Sequence, residues 1–322
     1  MKRNRLLIWL VPLVAAVCPA RLFAWNSLGH EIVAEIAWRQ LDPKIQQSAV
    51  ETLRRHPRFD NDFASKMEDA GSDKETQDRW IFQHAATWPD QIRKNKEYDR
   101  PSWHYIDLPI FLDQGERVDL GKLPVNILAD YPTKLPIDKY NILQAMAHCR
   151  AALKSKAGPE VKAVALCWLL HLVGDIHQPL HCTGLVSVDR FPKGDKGGNE
   201  IPLKRGKNLH SLWDGLLGSD SKMSSVAKAA NELLDKSKFG VQWESATNET
   251  DPRKWAEESH QICESAVYDP VILEAVRNTV AGEKIEPIEL PLSYYTNAGE
   301  TARKRVLAAG LRLAALLNSV GP

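Results

Sequence analysis

A chain of 322 residues, 43% hydrophobic and 26% charged with a formal net charge of +1, is long enough to bury a large core and too apolar to stay disordered. That near-neutral balance excludes a protein that grips polyanions by bulk positive charge. No internal repeat divides the sequence into smaller units.

Lys2, Arg3 and Arg5 open the chain, Leu6 to Val17 is a short apolar run, and Leu22-Phe23-Ala24 closes the segment. The pattern predicts a secretory signal peptide over residues 1–24, because the run is too short to anchor in a bilayer. Cys18 invites a lipid anchor, but Val17 is a poor fit to the small residue expected before a lipidated cysteine. No later stretch approaches the roughly 20 apolar residues of a spanning helix. A secreted or periplasmic protein without a membrane anchor is therefore expected, with residues 25–322 as one domain and a monomer as its state. Four of the 42 basic residues leave with the leader, so the mature chain holds 38 against 41 acidic, a balance of −3. Cys149, Cys167, Cys182 and Cys263 remain, and an oxidising compartment is expected to join them in disulfides; four cysteines allow three pairings.

Leu28 to Gln40 carries Ile32, Val33, Ile36 and Ala37 at helical period, and Asp42-Pro43 starts a second helix. Residues 73–88 read as a helix that Pro89 ends. Residues 98–136, rich in Pro, Gly and Asp, read as loop with short extended pieces. Tyr140 to Leu153 and Glu160 to Gln178 read as helices, with Pro179 stopping the second and His181 on the loop beyond it. A Gly/Lys-rich loop covers 184–207, and helices are expected at 208–217, 222–236, 252–267 and Gly299 to Asn318. Strand patterns are scarce, so the fold class is mainly α.

Two of these helices carry the chemistry. LLHLVGDIHQPLH holds His171 and Asp175, and NLHSLWD holds His210 and Asp214, each a His and an Asp four residues apart. That spacing puts both side chains on one helix face, within reach of a single ion. Imidazole with carboxylate suits zinc, and a mixed ligand set points to catalytic rather than structural metal. If cleavage follows Ala24, the mature chain begins Trp25-Asn26-Ser27-Leu28-Gly29-His30. Its free α-amine and carbonyl can then chelate a metal together with His30.

WNSLGH at a processed N-terminus, WPDQIR, HYID, HLVGDIHQPLH, GGN, NLHSLWD and the AGLRLAALLN ending occur in order. Together they resemble the secreted zinc-dependent single-strand nucleases (nucleases S-one and P-one), relatives of zinc phospholipase C, over nearly all of the mature chain. The resemblance implies a single multi-helix domain of the phospholipase C and single-strand nuclease type, with three zinc ions in one cleft. One ion would be held by Asp90, His104, His171 and Asp175. The second would take the Trp25 amine and carbonyl, His30 and a bridging Asp175, and the third His181, His210 and Asp214. The same resemblance implies that Arg93 clamps the phosphate, that Asp107 orients Arg93 or the attacking water, and that Asn199 contacts substrate. A plain Arg93–Asp107 salt bridge is the blander reading. Tyr105 and Phe191 are candidates to stack a base, with buried packing the alternative for both. His177, two residues from Asp175, could support the site or simply pack.

The implied activity is endonucleolytic hydrolysis of single-stranded DNA and RNA to 5′-phosphate products, with 3′-nucleotidase action on nucleotides as an accompaniment. Three zinc ions against the carboxylates of Asp90, Asp175 and Asp214 would make the pocket locally about +3 in a slightly acidic protein, enough to draw phosphate. A recessed cluster would reach a flexible strand but not a stiff duplex. Two rivals remain at this level. A zinc phospholipase C-like enzyme shares the metal logic but closes its last pair with Glu where this chain has Asp214, and a non-catalytic zinc-binding protein needs no Arg93.

Overall fold

Side-chain caps set most of the helix starts. Asn26, Asp73, Asp235 and Asp251 each accept a backbone N–H from the first turn that follows, and Asn141 and Asn208 form full capping boxes with Gln144 and Ser211. Proline at the first helical position follows Asp42, Asp251 and Asp269. The computed structural model describes residues 25–113 and 130–321, and the expected signal peptide with Cys18 lies outside the described residues. Twelve α-helices stand among them: α1 (Ser27–Gln40), α2 (Pro43–Leu53), α3 (Phe59–Asp62), α4 (Lys74–Gln91), α5 (Ile142–Lys154) and α6 (Pro159–Asp175) in the first half, then α7 (Leu209–Asp214), α8 (Met223–Leu233), α9 (Lys236–Asn248), α10 (Pro252–Ile262), α11 (Pro270–Asn278) and α12 (Leu292–Val320). The fold is mainly α, as expected. None of these helices is long and apolar enough to cross a membrane.

Helix α6 is the axis. Every residue from Ala165 to Asp175 is buried, as expected of a helix that is apolar all round. It packs against α2, α4, α5 and α12, while α1 lies between α4 and α12. Gly310 permits the closest approach of α12 to α1: a Cβ there would stand 2.5 Å from Ile36 Cβ. Two short strands, β1 (Leu108–Phe111) and β2 (Thr183–Val186), pair in parallel with Leu108 opposite Thr183. This pairing matters for the site, because it continues backwards: Ile106 N–H donates to His181 O at 2.8 Å, and Leu108 N–H to Cys182 O at 3.1 Å. The segments that carry His104 and His181 are thereby stitched together.

The structure corrects several sequence expectations. Helix α4 does not stop at Trp88 but continues through Pro89 to Gln91. Pro89 sits in the last turn, where one lost N–H costs little, and Trp88 anchors the turn by donating its indole N–H to Asp62 Oδ2 at 2.9 Å. The helix expected over 252–267 is α only to Ile262 and widens into a π turn over Cys263–Val267. Helix α7 ends at Asp214, short of the expected 217, and α6 ends three residues short of Gln178. Helix α12 begins seven residues before Gly299, where Tyr294 is buried and donates its hydroxyl to Val267 O at 2.8 Å. Helices α9 and α11 were not anticipated. All four cysteines are buried free thiols, so the expected disulfides are not formed. Burial pushes the Cys182 thiol up to about 12, away from the reactive thiolate.

Helix α12 braces the segment that follows α6. Arg305 and Arg312 are nearly fully buried and share the Glu258 carboxylate, with Arg312 Nη1 at 2.6 Å and Arg305 Nη1 at 2.7 Å. Both also reach His177, Arg305 through the backbone carbonyl and Arg312 through Nε2. His177 Nδ1 donates to Val173 O, so its Nε2 is the acceptor for Arg312. This histidine therefore packs and braces the chain just after Asp175. Glu258→Ala is expected to leave two buried guanidinium groups unpaired and to lower unfolding free energy by about 3 kcal/mol in denaturant titrations, with Glu258→Gln intermediate.

Candidate metal centre and its cavity

Every histidine and aspartate expected to bind metal lies in one buried region. His30 comes from the first turn of α1, Asp90 from the last turn of α4, and His104 from the 3₁₀ turn Pro101–His104. His171 and Asp175 share the inner face of α6, His181 ends the 3₁₀ turn Pro179–His181, and His210 and Asp214 lie on α7. Three sets of ligand atoms converge within 4.8 Å: His30, Asp90 and His171; His104, His171 and Asp175; and His181, His210 and Asp214. The first two sets share His171, and Asp175 is the hub of the whole. Its Oδ2 lies 2.9 Å from His104 Nδ1, 3.2 Å from His171 Nε2 and 4.0 Å from His181 Nδ1, and its Oδ1 lies 3.3 Å from His30 Nε2.

Backbone carbonyls fix the ring orientations. His171 Nδ1 donates to Ala86 O at 2.8 Å, His181 Nδ1 to His104 O at 2.7 Å, and His210 Nδ1 to Gly197 O at 2.7 Å. A carbonyl only accepts, so each Nδ1 carries the proton and each Nε2 keeps a lone pair for an ion. Gln178 donates to Asp214 Oδ1 at 2.7 Å and so orients that carboxylate. The rings of His30 and His171 stack at 4.0 Å. Gly174 makes room for this, since a Cβ there would lie 2.6 Å from His30 Nδ1.

The donor set fits a cation on its own chemistry. Both ring nitrogens of His30, Nε2 of His104 and His181, and Oδ1 of Asp175 are buried with no hydrogen-bond partner. Each such orphan costs about 1–3 kcal/mol in an apolar interior. Burial works against the Asp175 carboxylate, but His171 and His181 beside it hold its pKa well below the usual range. Burial likewise disfavours a charged His171, but Asp175 and Asp90 outweigh it and raise its pKa. Burial, aided by Arg93, pushes His104 down to about 3. Burial also drives Asp214 far up, with Asp90 and Asp175 adding to it. Carboxylate oxygens and imidazole nitrogens thus converge in a donor set whose chemistry suits a cation.

In front of the cluster lies a cavity of about 190 Å³ lined by Arg93, His104, Tyr105, Asp107, His181, Lys196, Asn199 and His210. Arg93 and Asp107 share it without pairing. Arg93 instead bonds Asp90 Oδ1 through Nη2 at 3.0 Å and Nε at 3.2 Å, because Asp90 lies one helical turn before it. Of the readings offered for Asp107, the contact with Arg93 is not made, and Arg93 pairs with Asp90 in its place. Asp107 is buried and makes no hydrogen bond among the described residues, and burial together with nearby Asp195 pushes its pKa up to about 7. Tyr105 lies on the cavity wall, half-buried. Phe191 does not: it packs in the second apolar cluster with Leu180 and Leu185. Trp25 is fully buried, with its side chain against Gly29, and Asn26 N–H donates to Asp214 O at 3.2 Å. The start of α1 is thereby tied to the end of α7. The sequence reading passed over Gln178, Gly174, Asp195 and Lys196; the first two sit inside the HLVGDIHQPLH run, where only the histidines and the aspartate drew notice.

Comparison with known proteins identifies a family for the whole of the described chain. The profile of the S1/P1 Nuclease family matches residues 25–321. The chain is 26% identical to Nuclease S1 of Aspergillus oryzae, covering 97% of each protein. It is 24% identical to Endonuclease 2 of Arabidopsis thaliana over 93% of this chain and 91% of the relative. With Nuclease P1 of Penicillium citrinum it shares 22% identity over 92% of this chain and 97% of the relative.

Gly174→Ala is expected to drive the His30 ring from its stack on His171. Bound metal per chain, measured by mass spectrometry of the acid-digested protein, should fall below wild type, and the chelator-sensitive part of the melting temperature should shrink with it.

Proposed function

We propose, from the premise that this chain belongs to the S1/P1 nuclease family, that its processed form begins at Trp25 and is a secreted zinc-dependent endonuclease acting on single-stranded DNA and RNA. Members of this family are hydrolases of phosphodiester bonds in nucleic acids. The observation that carries the finer reading is the convergence of orphaned imidazole and carboxylate atoms behind a cavity that also presents a guanidinium and a carboxyl group. Asp90, His104, His171 and Asp175 would hold one zinc. His30, Asp175 and the terminal amine and carbonyl of Trp25 would hold a second, and His181, His210 and Asp214 a third. The family match beginning at residue 25 supports cleavage after Ala24. When bound, zinc supplies Lewis acidity, polarising a phosphoryl oxygen and making water acidic near neutral pH.

The chain's own groups do the rest. Arg93 offers a planar fork whose present partner, Asp90, would turn to metal, freeing the fork for two phosphate oxygens. Asp107 faces the same space with unused acceptor oxygens and is placed to orient the attacking water and take its proton. Water adds to phosphorus as Asp107 takes its proton, and the bond to the 3′-oxygen breaks. That oxygen leaves as a 3′-hydroxyl on gaining a proton from solvent, the other product keeps the 5′-phosphate, and Asp107 returns its proton to solvent. The recessed position of the ligands, all buried but the half-buried Asp90, would keep a rigid duplex out, whereas a flexible strand can bend its phosphate inwards. Tyr105 stands on the wall where a base can stack, an interaction worth about 1–3 kcal/mol.

The test is an assay of the zinc-loaded protein on single-stranded DNA, duplex DNA and phosphatidylcholine. Cleavage of the single strand is expected, much slower on the duplex, with no turnover of lipid. Arg93→Ala should lower kcat on the single strand about a hundredfold while leaving zinc content intact. Lipid turnover without cleavage of nucleic acid would defeat the proposal.

A further inference from the structure

Three consecutive residues beside the cavity adopt left-handed backbone: Lys196 (φ 58°), Gly197 (φ 59°) and Gly198 (φ 79°). For glycine this is free; for lysine it costs about 1–2 kcal/mol. Lys196 is held there because its carbonyl accepts from Asn199 twice, from Nδ2 at 2.8 Å and from the backbone N–H at 3.3 Å. The turn sets Lys196 on the cavity wall, where Arg93 is the other permanent cation. Its ammonium pairs with Glu200 Oε1 at 2.7 Å, and both side chains are substantially exposed. A pair exposed in this way holds by only about 0–1 kcal/mol.

The cavity does not end at this pair. Asn199 lines it and also lines a neighbouring cleft of about 560 Å³, walled by Arg190, Glu200, Lys207 and Lys284. That volume lies within the range of small-molecule sites. Arg190, Lys207 and Lys284 make no ion pair among the described residues. Asp189 and Glu283 share the walls, so the cleft is close to neutral as a whole and attraction for phosphate is local. Glu200 belongs to the cleft, Lys196 to the cavity, and their ion pair spans the junction.

Resting on the nuclease reading above, we propose that this cleft receives the nucleotide flanking the scissile phosphate, and that the flanking phosphate draws Lys196 away from Glu200. A phosphodiester brings a full negative charge and two free oxygens, which compete well with an exposed carboxylate. Lys196 is then the residue that favours polymers over substrates with a single phosphate.

The experiment compares a thymidine dinucleoside monophosphate, which has no flanking phosphate, with a thymidine hexanucleotide. In Lys196→Met the ratio of kcat/KM for the hexamer to that for the dinucleoside should fall about tenfold, through KM, and the salt slope for the hexamer should drop by about one. Lys196→Gly, which relieves the left-handed strain, should give the same fall. Glu200→Gln should raise the ratio. An unchanged ratio in both Lys196 variants overturns the proposal, as does a Glu200→Gln that behaves like Lys196→Met. Wild type inactive on both substrates would instead overturn the nuclease reading.

Discussion

A fully buried carboxylate faced by four imidazoles is the constraint on which this structure turns. Asp175 sits on the most apolar of the described helices and meets His30, His104, His171 and His181 within 4.0 Å. Burying a charge without full compensation costs several kcal/mol. His171 and His181 keep the carboxylate charged in that setting, yet Asp175 Oδ1, both ring nitrogens of His30 and Nε2 of His104 and His181 are left without a hydrogen bond. Under the reading proposed above, a cation would satisfy those orphaned atoms, and its binding would add to the stability of the native state. The architecture follows from this need. Helix α6 offers two ligands at i and i+4, α1 and α4 pack against it to bring His30 and Asp90, and the β1–β2 pairing draws in His104 and His181.

Much of the ligand set was legible because its spacing is local. His171 with Asp175 and His210 with Asp214 lie four apart on helices, and that geometry holds whatever the tertiary context. Convergence of the two pairs with His30, Asp90 and His104 was not a local matter, and it entered through the family resemblance of the ordered motifs. The contacts among functional groups were harder to read. The Arg93–Asp90 bond arises from one turn of helix continuing past a proline, which local rules ended too soon. Lys196 and Glu200 drew no notice because a Gly/Lys-rich loop reads as solvated surface until its left-handed turn is seen.

Tertiary packing also decides helices that local preference does not. Helix α9 contains Gly240 and a non-helical residue at Phe239, so its local preference is weak and packing against α12 sustains it. Helix α12 starts early because burial of Tyr294 outweighs the poor helix preference of its first residues. Cysteine count in an exported chain suggested disulfides, yet all four thiols are committed to the core. Charge behaves in the same divided way. The full chain is near neutral, with a formal net charge of +1, while the cavity wall gathers the cations Arg93 and Lys196 beside the imidazole and carboxylate cluster.

The central claim is that trimming the chain at Trp25 completes the metal centre, because only a free α-amine can join His30 and Asp175 as a ligand. It is tested most directly by measuring zinc per chain in a form beginning at Trp25 and in one that retains Ala24. The account predicts about three ions in the first and a loss of about one in the second, with activity falling in step. Equal zinc and equal activity in both forms would contradict it.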